Sequence, residues 1–215
     1  MTSRSPIRAF ALSAAAAACC FRAEGALPVG FIETPLNIPF VQPVGIAFSD
    51  SGRMFVWEKG GRVWIVENGV KLPTPLIDLR DEVGDWRDFG LLGFALDPDY
   101  ETNGRFYLSY VVDYHHLKFF GTPQYDPGAD QYFTDTIARV TRYAANAGDG
   151  FRTADLSTRA VLIGESITTG IPILHQSHGP GALAFGHDGT LIVSTGDGGS
   201  YSVADDGGPN QGSSN

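Results

Sequence analysis

One short pattern occurs three times in this chain and restricts the possible folds more than any other feature. Each copy is a run of apolar residues, a turn that contains glycine, and a second apolar run. The copies cover residues 46–56, 94–108 and 183–193. Glycine in the turn readily adopts the positive φ angles that tight connections between antiparallel strands require. Each copy therefore predicts a pair of β-strands.

The spacing of the copies predicts how these strands are arranged. Phe48 in the first copy and Leu96 in the second lie 48 residues apart. Repeats of about 40–50 residues, each a short meander, are typical of β-propeller blades. One blade cannot bury both of its faces alone, so it must stack on neighbours. We therefore predict an all-β fold, about half of a six-bladed β-propeller with four-stranded antiparallel blades.

The interval between the second and third copies is longer, and it predicts an insertion at about residues 113–136, rich in aromatic residues, glycine and proline. A six-bladed ring at this spacing needs roughly 300 residues or more. With 215 residues, the chain is expected to be a truncated product, with a second chain that completes the ring as the alternative. We predict little or no activity for such a fragment.

The N-terminus has the pattern of a secretory leader. Arg4 and Arg8 precede an apolar run over 9–21 that is too short to span a bilayer, which takes about 20 residues. We predict a signal peptide at 1–25, a mature domain at 26–215 without a membrane span, and secretion or export to a periplasm; a buried N-terminal helix is the alternative. Both cysteines, Cys19 and Cys20, lie in the leader. A lipid anchor on Cys19 is a further alternative.

The charge of the chain argues against one class of partner. The net charge is −9, and the sequence contains no cluster of lysine and arginine that could neutralise phosphates. Nucleic acid is therefore not expected as a partner. The acidity is explained more simply by the solubility of an exported protein.

Two long motifs occur in a fixed order, at residues 88–110 and 175–199. The first contains Gly-Leu-Leu-Gly followed by Asp-Pro-Asp-Tyr, and the second contains His-Gly-Pro-Gly, Phe-Gly-His-Asp-Gly and Thr-Gly-Asp-Gly-Gly. Together they resemble the glucose/sorbosone dehydrogenase family, which includes soluble quinoprotein sugar dehydrogenases and hedgehog-interacting-protein-like relatives. The resemblance covers about residues 43–199. It implies a propeller that uses pyrroloquinoline quinone (PQQ) and Ca²⁺ to oxidise sugars.

His178 is the candidate catalytic base. It precedes a Gly-Pro-Gly turn that is expected to place it on an exposed loop entering a strand. Its unperturbed pKa of about 6.5 leaves a neutral imidazole near neutral pH, and it matches the catalytic histidine of the family. Asp197 ends the strand after the next hairpin and could bind the imidazole N–H. The alternatives are a surface histidine without function and an aspartate that only caps a glycine-rich turn.

Asp88 is the candidate substrate contact, since the family usually has a substrate-binding glutamine at this position. An ionised carboxylate accepts hydrogen bonds from sugar hydroxyls but donates none, so a preference for glucose is in doubt. His175 matches the family less well than His178, His187 is expected in a turn, and His115 and His116 in a loop. No convincing set of metal ligands is visible within the 215 residues.

Three functions remain open from the sequence. The first is an exported, PQQ- and calcium-dependent aldose dehydrogenase, with a small sugar as substrate and an electron acceptor as second partner. Its quinone-binding cations and calcium ligands are expected beyond residue 215. The second is a propeller that has lost its cofactor and binds a carbohydrate or a protein. The third, a calcium-dependent lactonase, would need acidic and asparagine ligands for which no clear set is visible.

Overall fold

A computed structural model describes residues 27–197. Residues 27–36 belong to a separate unit, in which the Phe31 N–H donates to the Pro28 carbonyl at 3.1 Å. All strands and helices of the described chain lie in the second unit, from Asn37 onwards. The predicted leader and the residues after Asp197 lie outside the described part.

The first sheet is antiparallel and contains five strands, which lie side by side in four positions. Its strands are β1 (Pro43–Phe48), β2 (Met54–Glu58), β3 (Arg62–Glu67), β4 (Val70–Lys71) and β5 (Ile77–Asp78). β4 pairs with one end of β3 and β5 with the other, so these two short strands share the outermost position. The turn between β3 and β4 contains Asn68 and Gly69 with φ of 52° and 77°, the geometry that an Asn-Gly pair favours.

The second sheet repeats this design. Its strands are β6 (Leu91–Leu96), β7 (Arg105–Val111), β8 (Thr136–Ala145), β9 (Ala154–Ile163) and β10 (Ile171–Ile173). β9 and β10 both pair with β8 and again divide the outermost position. A short helix, α1 (Tyr100–Asn103), lies between β6 and β7 and ends at Gly104, which has a φ of 65°. The prediction of repeated four-stranded antiparallel sheets is confirmed.

A third sheet consists of two strands, β11 (Pro180–Phe185) and β12 (Leu191–Thr195). Its Leu183 is buried together with Ala95 and Val140 of the second sheet. Between the first and second sheets, the Phe55 and Phe94 rings stack with centroids 5.7 Å apart. The three repeated sequences therefore form the first two strands of three sheets that stack face to face, and the described sheets do not close a ring.

The open face of the first sheet carries apolar side chains, with Ile46 59% and Phe48 62% exposed. Facing strands of stacked sheets normally bury such residues. Their partners in β2, Val56 and Met54, are buried against Ile38 and Phe40, so the exposed part of this face is at β1.

The connection from β7 to β8 covers residues 112–135 and holds a helix, α2 (Tyr114–Phe119). The expectation of a loop at His115 and His116 is wrong, because Asp113 caps this helix by accepting hydrogen bonds from both backbone N–H groups, at 2.8 and 3.3 Å. His116 is also buried. None of the helices described here is long and apolar enough to cross a membrane.

Candidate functional site

The strand register brings three separate segments to one end of the second and third sheets. Leu91 at the start of β6 pairs with Tyr110 near the end of β7, and Ala138 near the start of β8 pairs with Val111 at the end of β7. β10 ends where β8 begins, and the chain then enters β11. We call this end the site edge; it comprises residues 84–90, 112–135 and 174–179, together with the end of β12.

His178 and Asp197 meet at this edge. Their side chains approach to 2.8 Å between Nδ1 and Oδ1, and both remain about half exposed, at 46% and 53%. Because the carboxylate can only accept, the imidazole donates from Nδ1, which leaves Nε2 of a neutral ring as an acceptor. This is the arrangement of a histidine that can take up a proton from a bound molecule.

The hairpin of β11 and β12 explains why the two residues meet. Pro180 pairs with Thr195, and the Gly196 N–H donates to the Gly179 carbonyl at 2.8 Å. Gly196 is required here, since a Cβ at this position would lie 2.4 Å from the carbonyl oxygen of His178. His178 itself has a φ of 57°, which is uncommon for a residue other than glycine and tends to occur at functional sites.

Asp88 also lies at the site edge and is exposed. It belongs to a turn in which the Phe89 N–H donates to the Trp86 carbonyl at 3.1 Å. The Phe89 ring packs beside Gly179: a Cβ atom added at Gly179 would lie only 3.5 Å from the ring. The turn that carries Asp88 is therefore next to the turn that carries His178. The roles assigned to His178, Asp197 and Asp88 stay predictions.

The other histidines lie in different surroundings. His187 is exposed in the turn between β11 and β12, as expected. Nδ1 of His175 is hydrogen-bonded to the Ser177 hydroxyl at 3.2 Å. Among residues 27–197, no group of three or more His, Cys, Asp or Glu side chains is arranged to hold a metal ion.

A cleft of about 360 Å³ opens beside the histidine turn. Its aromatic lining comes from Trp86, Phe89 and Phe133, and its polar lining includes Asp135 and His175. Burial raises the pKa of the Asp135 carboxyl. Sequence reasoning missed this cleft, although the aromatic content of the inserted segment was a signal for it.

A buried charge cluster lies next to the site edge, where the Asp113 N–H donates to the Glu82 carbonyl. Sequence reasoning missed this cluster too. Glu82 accepts hydrogen bonds from Tyr110 at 2.5 Å, Arg139 at 2.6 Å and Arg159 at 2.7 Å. Burial by itself would raise the pKa of Glu82, but the guanidinium groups of Arg159 and Arg139 and the Tyr110 hydroxyl outweigh it and lower the pKa. The cluster therefore connects the segment that precedes β6 with three strands, β7, β8 and β9.

The stacked antiparallel sheets, with a histidine and an aspartate at one end of the stack, define a partial β-propeller. The fold of an apo-form soluble aldose sugar dehydrogenase from Escherichia coli matches with a TM-score of 0.50 at 21% identity, over 74% of this chain and 38% of that one. A glucose dehydrogenase structure matches with a TM-score of 0.51 at 19% identity, over 74% and 38%. These likenesses confirm the propeller fold.

The chain belongs to the glucose/sorbosone dehydrogenase family, whose model matches residues 40–214. It is 32% identical to human hedgehog-interacting protein over 166 residues, which cover 73% of this chain and 21% of that protein. It is 29% identical to the HIPL2 protein of Arabidopsis thaliana over 178 residues, covering 71% and 25%. The chain thus spans about a fifth to a quarter of these relatives. The predicted family resemblance is confirmed.

Proposed function

We propose that the whole protein is an exported, PQQ-dependent aldose dehydrogenase in which His178 is the general base. The observation that carries the proposal is the 2.8 Å contact between the His178 and Asp197 side chains at the exposed end of the sheets. Membership of the glucose/sorbosone dehydrogenase family supports it. The leader pattern in residues 1–25 supports export.

His178 has a defined part in such a reaction. Oxidation of an anomeric hydroxyl removes one proton and one hydride, and His178 Nε2 takes the proton while the carbon–oxygen bond gains double-bond character. A bound quinone would supply the acceptor for the hydride. Asp197 holds the imidazole with Nε2 as acceptor and stabilises the imidazolium that forms. Asp88 accepts a hydrogen bond from a second sugar hydroxyl.

The described residues fit the proton-transfer part of this site better than the cofactor part. PQQ carries three carboxylates and favours cationic partners, whereas the charged residues of the site edge include Asp88, Asp135 and Asp197 together with Arg87, which lies beside Phe133. Residues 27–197 also assemble no metal-binding cluster. PQQ and Ca²⁺ are therefore proposed from the family alone, and no step is assigned to Ca²⁺.

The test uses the whole protein, including any chain that follows Asn215 in the cell. After reconstitution with PQQ and Ca²⁺, it is expected to reduce an artificial electron acceptor when aldoses are supplied. His178→Gln should lower this rate at least about a hundredfold. His187→Gln is the matched control, because His187 is exposed in a nearby turn and its replacement should leave the rate unchanged. Equal rates for wild type and His178→Gln would refute the proposed role.

A second function has a specific observation in its favour. The likeness to human hedgehog-interacting protein, at 32% identity, supports a propeller without catalysis that binds a carbohydrate or a protein partner. Under this alternative, the whole protein reduces no acceptor with any aldose even when PQQ and Ca²⁺ are in excess. Measured binding of PQQ in calorimetry separates the two functions, since only the dehydrogenase needs it.

A further inference from the structure

The cleft at the site edge has a wall of aromatic side chains that the proton-transfer chemistry does not use. The Trp86 and Phe133 rings lie 4.7 Å apart between centroids at an angle of 48°. Phe133 is 69% exposed, so its ring is accessible to a bound molecule. The guanidinium group of Arg87 lies 5.9 Å from the centre of the Phe133 ring.

The backbone around this wall is held in uncommon conformations. Phe133 has a φ of 57° and Arg87 a φ of 54°, close to the value of 57° for His178. A bulky residue with positive φ costs free energy, and such residues collect at binding and catalytic sites. Three of them therefore lie in the segments that meet at one end of the sheets.

The wall is close to the candidate base. His175 lines the cleft and is three residues from His178, a separation that an extended chain covers in at most about 11 Å. Phe89 lines the same cleft and packs beside Gly179. A molecule with one end at His178 could thus place its neighbouring part between Trp86 and His175.

The chemistry of the lining suits a sugar ring. The C–H groups on one face of a pyranose pack against an aromatic ring, and its hydroxyls donate to carboxylate and amide oxygens. Asp135 is exposed and presents such a group in the cleft. Its volume of about 360 Å³ lies within the usual range of about 300–1,000 Å³ for small-molecule sites.

We propose that the cleft between Trp86, Phe133 and His175 binds a second sugar ring, next to the ring that is oxidised at His178. The substrate class is then a di- or oligosaccharide, and Trp86 and Phe133 determine this specificity. The inference rests on the proposed sugar site at His178.

The test measures sugar binding to the whole protein without PQQ, by calorimetry and by tryptophan fluorescence. Cellobiose, maltose and lactose are each compared with glucose. At least one disaccharide should bind about tenfold more tightly than glucose. Trp86→Ala and Phe133→Leu should each weaken that disaccharide about tenfold, which corresponds to about 1.4 kcal/mol, and should change glucose binding less than about twofold.

Phe120→Ala is the matched control. Phe120 belongs to the same inserted segment and is 60% exposed, but it stacks on His116 with centroids 4.5 Å apart, outside the cleft. Its replacement should leave disaccharide binding unchanged. Thermal unfolding of each variant checks that the fold is kept, and the exposure of Phe133 makes a large loss of stability at that position unexpected.

The outcomes separate this inference from the dehydrogenase proposal. Tight disaccharide binding that depends on Trp86, without any acceptor reduction after addition of PQQ, would support the cleft and refute the dehydrogenase. Aldose oxidation with equal affinities for glucose and the disaccharides in all variants would support the dehydrogenase and refute the second-ring site. Absence of binding by every sugar tested would also refute that site.

Discussion

Replacement of Glu82 by glutamine tests how much the buried charge cluster next to the site edge contributes to the stability of the fold. Glu82 is 4% and Arg139 5% exposed, and Arg159 binds the same carboxylate oxygen of Glu82 as Arg139. Glutamine keeps the shape of the side chain and one acceptor oxygen, but it removes the negative charge. Arg139 would then remain buried as a cation without its counter-ion.

The expected cost is large for a single substitution. Removal of one partner from a buried ion pair destabilises proteins by about 3–5 kcal/mol, and the hydrogen bonds that glutamine retains favour the lower value. We therefore expect the free energy of unfolding to fall by about 3 kcal/mol, against a typical total of about 5–15 kcal/mol. For a domain of this size, this corresponds to a decrease in Tm of roughly 6–12 °C.

Urea titration and thermal unfolding of the wild type, Glu82→Gln, Arg139→Gln and the double variant measure this effect. The double variant should lose less than the two single losses combined, by about 1–3 kcal/mol, because the partners interact directly. Glu165→Gln is the matched control: Glu165 is exposed near the same arginine, and its replacement should change stability by less than about 0.5 kcal/mol. A loss below about 1 kcal/mol for Glu82→Gln, or additive single effects, would refute the reasoning.

Two further predictions concern the histidine in helix α2 and the glycine beside the candidate base. Burial lowers the pKa of His116 below 6.5 in the folded protein, so as the pH falls the histidine is protonated more readily in the unfolded chain than in the folded one. The free energy of unfolding should therefore decrease as the pH falls below about 6.5. Urea titrations at several pH values should show this decrease, and the variant His116→Phe should diminish it. Gly196→Ala forces a Cβ against the His178 carbonyl and should lower both Tm and acceptor reduction. Gly148→Ala, where nothing lies within 4 Å of the new Cβ, is the control; equal losses in both variants would refute the steric argument.

The sequence by itself determined the strands, the repeat and the pairing of the two most informative residues. Phe48, Leu96 and Phe185 end β1, β6 and β11, because local signals such as glycine turns and apolar runs are sufficient to define hairpins. His178 and Asp197 are 19 residues apart on either side of one hairpin. Their contact follows from the pairing of β11 with β12, and the family motifs had pointed to both residues.

The tertiary structure alone decided the contacts between segments that are distant in sequence. Glu82 meets Arg139 and Arg159 at separations of 57 and 77 residues, and Trp86 meets Phe133 only because β6, β7 and β8 place both at one end of the sheet. The helix at His116 likewise depends on the Asp113 cap and on burial. No local pattern specifies such partners, since their proximity results from the stacking and register of whole sheets.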